Sequence, residues 1–345
     1  ERTLAVKVES DGTDEFTSGV DDMIGALGKF RAAVGIAGGA LAALSAGTLA
    51  GATSAASNFQ DAMVEVQKVT SETTAGALRS EIMDMARSIP LAQSELATLA
   101  ADAARFGVRG PENIRTFTEA VAKMATATNL GTQEAGESLA RLATLTETPV
   151  SKIENLGSSV NSLSNNFATS SQEIVDSMMR SSAALSQMGV GTTDIAGLSA
   201  ALNEVSESSE RAGTRLRRLA QEMISPKKAT DLAAALGMTT EEFKAMRNES
   251  PTALITRMAE AMKKGGDRAD ALRTSLSTTS RQALSGLAQN LSGVQDALSK
   301  SSTAFEKNTS LQEEFAAQTS TFSSQLKLLK NQIRETAISI GQVLL

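Results

Sequence analysis

The chain contains no cysteine, no histidine, no tryptophan and no tyrosine. Each absence removes a class of function. Without His or Cys there is no ordinary zinc site, no Cys nucleophile and no Ser-His-Asp triad, and a disulfide scaffold is excluded. Paired carboxylates could still support glycosidase chemistry, but a sugar site would lack its usual stacking platforms. The expectation is therefore no enzyme, no catalytic residue, no metal site and no cofactor. Aromatic content is 3%, all of it in 10 Phe. A core among 345 residues must then be packed with Leu, Ile, Val, Met and Ala, which suits helices held at close range. Proline is scarce as well. Pro90, Pro111, Pro149, Pro226 and Pro251 are the five, and all lie in the middle of the chain. Net charge is −6, which argues against coating DNA through its phosphates and against sequence-specific nucleic-acid binding. No basic, apolar, cleavable arrangement opens the chain. Glu1 is not a start Met and the chain stops in mid-pattern at Val343-Leu344-Leu345, so a fragment of a longer protein is expected.

What is present begins with a run of 29 residues without a charge, Ala32 to Gln60. At about 1.5 Å per residue it could cross a bilayer as a helix, yet Ala and Gly carry little transfer energy beside Leu or Ile. Gly35 with Gly39, and Gly47 with Gly51, are spaced four apart, which lets helix backbones approach closely. Three roles fit: packing against other copies in an assembly, entry into a membrane, or an intramolecular core. Before the run, Leu4, Val6 and Val8 alternate with polar residues as in a short strand. Asp11 to Lys29 then reads as an amphipathic helix with Phe16, Val20, Met23, Ile24 and Leu27 on one face. The helical pattern resumes through Phe59, Met63, Val66 and Val69.

The proline positions predict long helices before Pro90 and after Pro251, with short ones between them. Helix ends are marked by an apolar residue, Gly and another apolar residue: Phe106-Gly107-Val108, Met188-Gly189-Val190 and Leu236-Gly237-Met238, with a variant at Leu130-Gly131-Thr132. Gly in the left-handed conformation closes the helix, and the residue after it folds back on the last turn. Starts are marked by the capping boxes Ser170-Ser171-Gln172-Glu173 and Thr239-Thr240-Glu241-Glu242, and by Gly110-Pro111 and Ser250-Pro251 with Pro at the first helical position. The fold class is all-α: an array of short helical hairpins flanked by long helices, with a short N-terminal β-strand and a C-terminal coiled-coil-like helix. In the last segment Thr319, Leu326, Ile333 and Ile340 fall at heptad position a, and Phe315, Phe322, Leu329, Thr336 and Val343 at d. That seam predicts self-association, with a trimer favoured; the alternative is one helix packed on the chain's own core.

Around residue 213 the chain resembles a known family. Ala212-Gly213-Thr214-Arg215-Leu216-Arg217-Arg218, followed by Leu219, Ile224-Ser225-Pro226 and the Leu236-Gly237 helix end, is similar to the core region of phage tail tape measure proteins of the long-tailed-phage type. So are the stretch from Met188-Gly189-Val190 through Asp194, Ile195, Leu198, Ala201 and Leu202, and the closing Phe322-Ser323-Ser324-Gln325-Leu326 and Leu329-Lys330-Asn331-Gln332-Ile333. The resemblance runs from about Phe59 to Leu345 and divides the chain into four. Residues 1–31 are an N-terminal strand and amphipathic helix, and 32–71 the Ala/Gly-rich charge-free helix. Residues 72–265 are the helical tape-measure core, and 266–345 a long helix or coiled-coil segment leading into a missing continuation.

The resemblance implies a structural virion protein that sets tail length during assembly and leaves ahead of the DNA, forming a conduit through the host envelope. It implies as partners further copies of itself, tail tube and baseplate or tail-tip proteins, assembly chaperones and the host membrane. It places the protein in the tail lumen or tip, in the host cytoplasm during assembly and in the host envelope during ejection. Arg211, Arg215 and Arg218 recur near helical spacing with Glu207, Glu210 and Glu222 in reach. Ion pairs on a solvated face account for them; contact with an acidic tube lumen or with DNA is the functional alternative, and Arg217, on the opposite side, is a candidate partner anchor. Two other classes fit the composition: a membrane-active pore-forming helical protein and a generic coiled-coil scaffold.

Overall fold

The structure is a computed structural model that describes residues 56–344, and every regular element among the described residues is helical. The expected strand at Leu4–Val8, the helix Asp11–Lys29 and the glycines Gly35, Gly39, Gly47 and Gly51 lie outside the described residues. The elements in order are α1 (residues 56–69), α2 (Glu72–Ser88), α3 (Gln93–Arg105), α4 (Pro111–Ala127) and α5 (Thr132–Leu145), then a 3-10 turn (Val150–Lys152). There follow α6 (Ile153–Asn166), α7 (Ser171–Gln187), α8 (Thr192–Asn203), α9 (Ser209–Ile224), α10 (Pro226–Leu236) and α11 (Thr240–Glu249). The last are α12 (Pro251–Lys264), α13 (Gly266–Ser275), α14 (Thr278–Gln289), α15 (Leu291–Lys307), α16 (Ser310–Thr319) and α17 (Phe322–Leu344).

Local chemistry accounts for most boundaries. At Gly107, Gly189 and Gly237 φ is +96°, +87° and +68°. The next N–H turns back five residues each time: Val108 to the Ala103 carbonyl, Val190 to Leu185 and Met238 to Ala233, at 2.9–3.0 Å. Both capping boxes are closed. Ser170 N–H donates to Glu173 Oε2, and Thr239 N–H to Glu242 Oε2, each at 2.8 Å. Pro111, Pro226 and Pro251 each open a helix, where no amide proton is needed. Gly131 differs from the expected pattern. Its φ is −64° and it precedes α5 as an N-cap, while α4 is closed by the Thr128 hydroxyl donating to the Met124 carbonyl at 2.7 Å.

The expectation of a long helix after Pro251 is corrected: residues 266–344 form five helices. Gly265 and Gly266 break the chain at φ +72° and +73°, and Asn308 does so in the left-handed region at φ +52°. Ser277 starts α14 by accepting from Ser280 N–H at 3.4 Å, and Thr321 starts α17 by accepting from Ser324 N–H at 3.3 Å. No proline is needed, because a short polar side chain that takes an amide proton is enough to end one helix and begin the next. The heptad frame from Phe315 to Val343 is therefore carried by two helices, divided at Ser320-Thr321.

The described residues belong to two compact units, one ending at Ala122 and resuming at Ala316, the other spanning Lys123 to Phe315. In the first, α2 packs on α3 and α17 packs on α2. Phe59, Met63 and Val66 of α1 are buried, and the Arg79 guanidinium stands 5.3 Å over the Phe59 ring. In the second, α7 packs most extensively on α9, and α15 lies against both α6 and α8. Its core is almost wholly aliphatic; Phe243 is the large fully buried aromatic in this unit.

One seam of the second unit is polar. Asn155 Nδ2 donates to the Phe305 carbonyl (2.5 Å), Ser159 to the Ser301 carbonyl (2.6 Å) and Asn161 Nδ2 to the Ser310 carbonyl (3.1 Å). Ser301 in turn donates to the Thr193 carbonyl at 2.7 Å. Buried polar groups on α6 are thus satisfied across about 150 residues of sequence.

Candidate functional site

The segment that carries the family resemblance is the first half of α9. Ser208 caps the helix by accepting from Arg211 N–H at 3.3 Å. Ala212, Gly213, Leu216, Leu219, Ala220 and Met223 are buried, the repeat expected of one helix face. Gly213 fixes the approach. A Cβ there would stand 2.6 Å from the Ser177 carbonyl oxygen and 2.9 Å from Ser177 Cα, both backbone atoms of α7. The Ser177 hydroxyl, buried in the same contact, donates to Asn203 Oδ1 (2.6 Å) and lies 2.8 Å from the Ser209 carbonyl. Asn203 Nδ2 passes the chain on to Thr169 Oγ1 at 3.1 Å. The small pair Ala212-Gly213 thus binds α9 to α7.

The charged face is largely self-paired. Glu207 takes both Arg211 (3.6 Å) and Arg215 (2.9 Å), and Glu222 takes Arg218 (3.1 Å). Glu210 pairs with Arg180 of α7 at 2.6 Å instead of with its own helix. The Arg211–Glu207 and Arg180–Glu210 pairs are exposed on both sides, and the second contributes about 0–1 kcal/mol. Thr214 is half-buried, and Arg217 is exposed with no ion pair among the described residues.

Glu222 is the member that spacing alone undervalues. It is buried, and its carboxylate accepts from Ser277 N–H at 3.0 Å, at the N-terminus of α14. Burial alone would raise this carboxyl. The Ser277 hydroxyl and amide, Ser280 and the Arg218 guanidinium outweigh it and hold the group below the ordinary value of 4.5. Its stabilising contribution is then complete above about pH 4.5 and is lost as pH falls through the lowered folded value. Glu222→Gln should remove that acid-side dependence and weaken the α9–α14 contact by about 1–3 kcal/mol. Urea unfolding at pH 7 and pH 4 tests this, and equal losses for both proteins on acidification would exclude Glu222 as the source.

The seam residues differ in exposure. Phe315 is half-buried on α16 and Phe322 is exposed at the start of α17. Leu329 is buried while Leu326 and Ile333 are half-buried; Ile340 lies in the same helix. Phe315 belongs to the second compact unit and the rest to the first. Among the described residues, no group of three or more His, Cys, Asp or Glu stands where it could hold a metal ion, and no helix is long and apolar enough to cross a membrane.

The described residues thus form a helical body with aliphatic packing, small-residue helix contacts and largely self-paired charge on α9. Residues 79–315 match the family model of phage-related minor tail proteins. That span is more than half of the chain, and the chain belongs to this family: it is a phage tail protein. Neither a curated protein nor a solved structure matches it.

Proposed function

We propose that the chain is part of a tail tape measure protein. The observation that carries this reading is the tail-family match over residues 79–315, which falls on an entirely helical body. A helix adds about 1.5 Å per residue, so an extended helical stretch converts residue count into tail length. The short helices between Glu72 and Thr319 double back on one another and cannot act as that ruler. In this reading they form a docking or plug domain inside the tail, next to tube and baseplate or tail-tip proteins. Several copies associate, leave ahead of the DNA, and use the Ala32–Gln60 run to enter the host envelope. The role is structural and not enzymatic, in keeping with a chain that lacks His and Cys.

The test is tail length by electron microscopy after in-frame deletions in the gene that leave the codons for residues 79–315 intact. Shortening by about 1.5 Å for each deleted helical residue is expected. Tails of unchanged length would remove the length-setting role and favour a membrane-active function for the Ala/Gly run.

A further inference from the structure

The net charge of −6 hides a separation within the compact unit 123–315. Residues 123–210 carry 4 Lys and Arg against 10 Asp and Glu, a balance of −6. Residues 211–281 carry 14 against 8, a balance of +6. The acidic block runs from the end of α4 through α5–α8 to the first two residues of α9, and the basic block from Arg211 of α9 to Arg281 of α14.

The basic block holds an open cleft of about 530 Å³ between the end of α10, one face of α12 and the start of α13. Arg257, Lys264 and Arg268 line it beside Glu260, Asp267 and Leu236. Residues 257, 260 and 264 share a face of α12 by helical spacing. Unlike Arg211, Arg215 and Arg218 of α9, these three cations make no ion pair within 4 Å and no hydrogen bond among the described residues. Arg257 acts on Glu242 only at longer range. The Arg268 guanidinium lies over Gly237, where a Cβ would be 3.1 Å from Nη2. Gly237, at φ +68°, both ends α10 and leaves room for that cation.

The acidic block has a matching deficit. Glu134 of α5 and Asp176 of α7 are held together by Gln172, whose amide donates to Glu134 and reaches Asp176 Oδ1 at 3.4 Å. Arg180, the cation acting on Asp176, is already committed to Glu210. Burial raises the Asp176 carboxyl, and the charges of Glu134 and Glu210 add to it, so a further cation at this face would be stabilised.

We infer that the chain associates head to tail with a second copy of itself, the Glu134–Asp176 face of one copy seated against the Arg257–Lys264–Arg268 cleft of the next. Such an interface is heterologous and closes into a ring when the rotation between copies allows it. A second copy fits better than nucleic acid. The one aromatic in the basic block, Phe243, is buried and offers no stacking surface for bases, and each copy brings one acidic face for each basic cleft. The inference does not depend on the length-setting role.

The test uses the full 345-residue chain in sedimentation velocity, with two charge-reversed variants: Arg257→Glu/Lys264→Glu/Arg268→Glu and Glu134→Lys/Asp176→Lys. The unaltered chain should associate, and the association should weaken about tenfold or more between low and high salt as the charges are screened. Each variant alone should lose it, and mixing the two should restore it, because one supplies an intact acidic face and the other an intact cleft. A monomer at low salt overturns the proposal, as does association that both variants keep. Loss of binding to a short DNA duplex by the cleft variant, with self-association unchanged, would assign the cleft to nucleic acid instead. Should circular dichroism show that a reversal has cost helix, Lys264→Gln/Arg268→Gln is read in its place and should weaken association several-fold; no weakening overturns the proposal.

Discussion

Gly213→Ala will destabilise the 123–315 unit by about 1–3 kcal/mol, although the same change in an ordinary helix interior is favourable by about 0.5–1 kcal/mol. The sign reverses because of what the new methyl meets. A Cβ at residue 213 would stand 2.6 Å from the Ser177 carbonyl oxygen, 2.9 Å from Ser177 Cα and 2.9 Å from Arg180 Cβ. The first two are backbone atoms of α7 and cannot turn away. Relief requires α9 to move off α7, which loosens the buried row Leu216, Leu219, Ala220 and Met223 and parts Ser177 from the Ser209 carbonyl. Gly76→Ala is the matched control. Gly76 sits within α2 and a Cβ there would meet nothing within 4 Å, so it should stabilise by about 0.5–1 kcal/mol. Urea unfolding of both variants, with amide exchange resolved for α7 and α9, checks the pair. If Gly213→Ala were as stable as the parent chain, the close approach of α9 to α7 would be refuted.

That contact also shows what the sequence can and cannot reveal. The Ala212–Arg218 segment draws attention through its arginines, yet in the folded chain Arg211, Arg215 and Arg218 pair with neighbouring carboxylates while Ala212 and Gly213 position the helix. Local signals were legible because their chemistry is complete within a few residues. Ser170 with Glu173, Thr239 with Glu242 and Pro251 at a first turn need no tertiary partner to act. The breaks after Pro251 were equally local, in Gly265-Gly266, Ser277 and Asn308, but a regular apolar spacing on either side masks them as one long helix. Contacts such as Asn155 with Phe305 and Ser159 with Ser301 had no such signal. Asn and Ser read as solvated residues until the fold supplies acceptors from about 150 positions away. Charge followed a third pattern. The whole-chain balance is mildly acidic, and the separation into −6 and +6 blocks emerges only when the sums are taken separately over residues 123–210 and 211–281.

Asn331→Ala should release the C-terminal helix while leaving the 123–315 unit intact. The reason begins at Pro90. In a continuing helix the Ala86 carbonyl would accept the amide proton of residue 90, and proline has none. Asn331 of α17 supplies the missing donor: its Nδ2 reaches the Ala86 carbonyl at 3.0 Å and the Leu91 carbonyl at 2.6 Å. Gln93 Nε2 answers with a bond to the Asn331 carbonyl at 2.8 Å. Asn331 is only 2% exposed, so water cannot replace it without opening the contact. Truncation leaves the buried Ala86 carbonyl without this donor, at about 1–3 kcal/mol, and strips the half-buried Leu91 carbonyl of it as well. Asn331→Asp should be worse at neutral pH, since it aims a carboxylate at the same carbonyls. The neighbouring Arg87–Glu335 pair makes the contrast, because Arg87 is more than half exposed; Arg87→Ala should cost under about 1 kcal/mol. Limited proteolysis and amide exchange would report the difference. In Asn331→Ala, α17 should be cut and exchange rapidly while α7 and α9 stay protected. Unchanged protection of α17 would mean that Leu329 and Ile338, buried on the same helix, hold it in place without the amide.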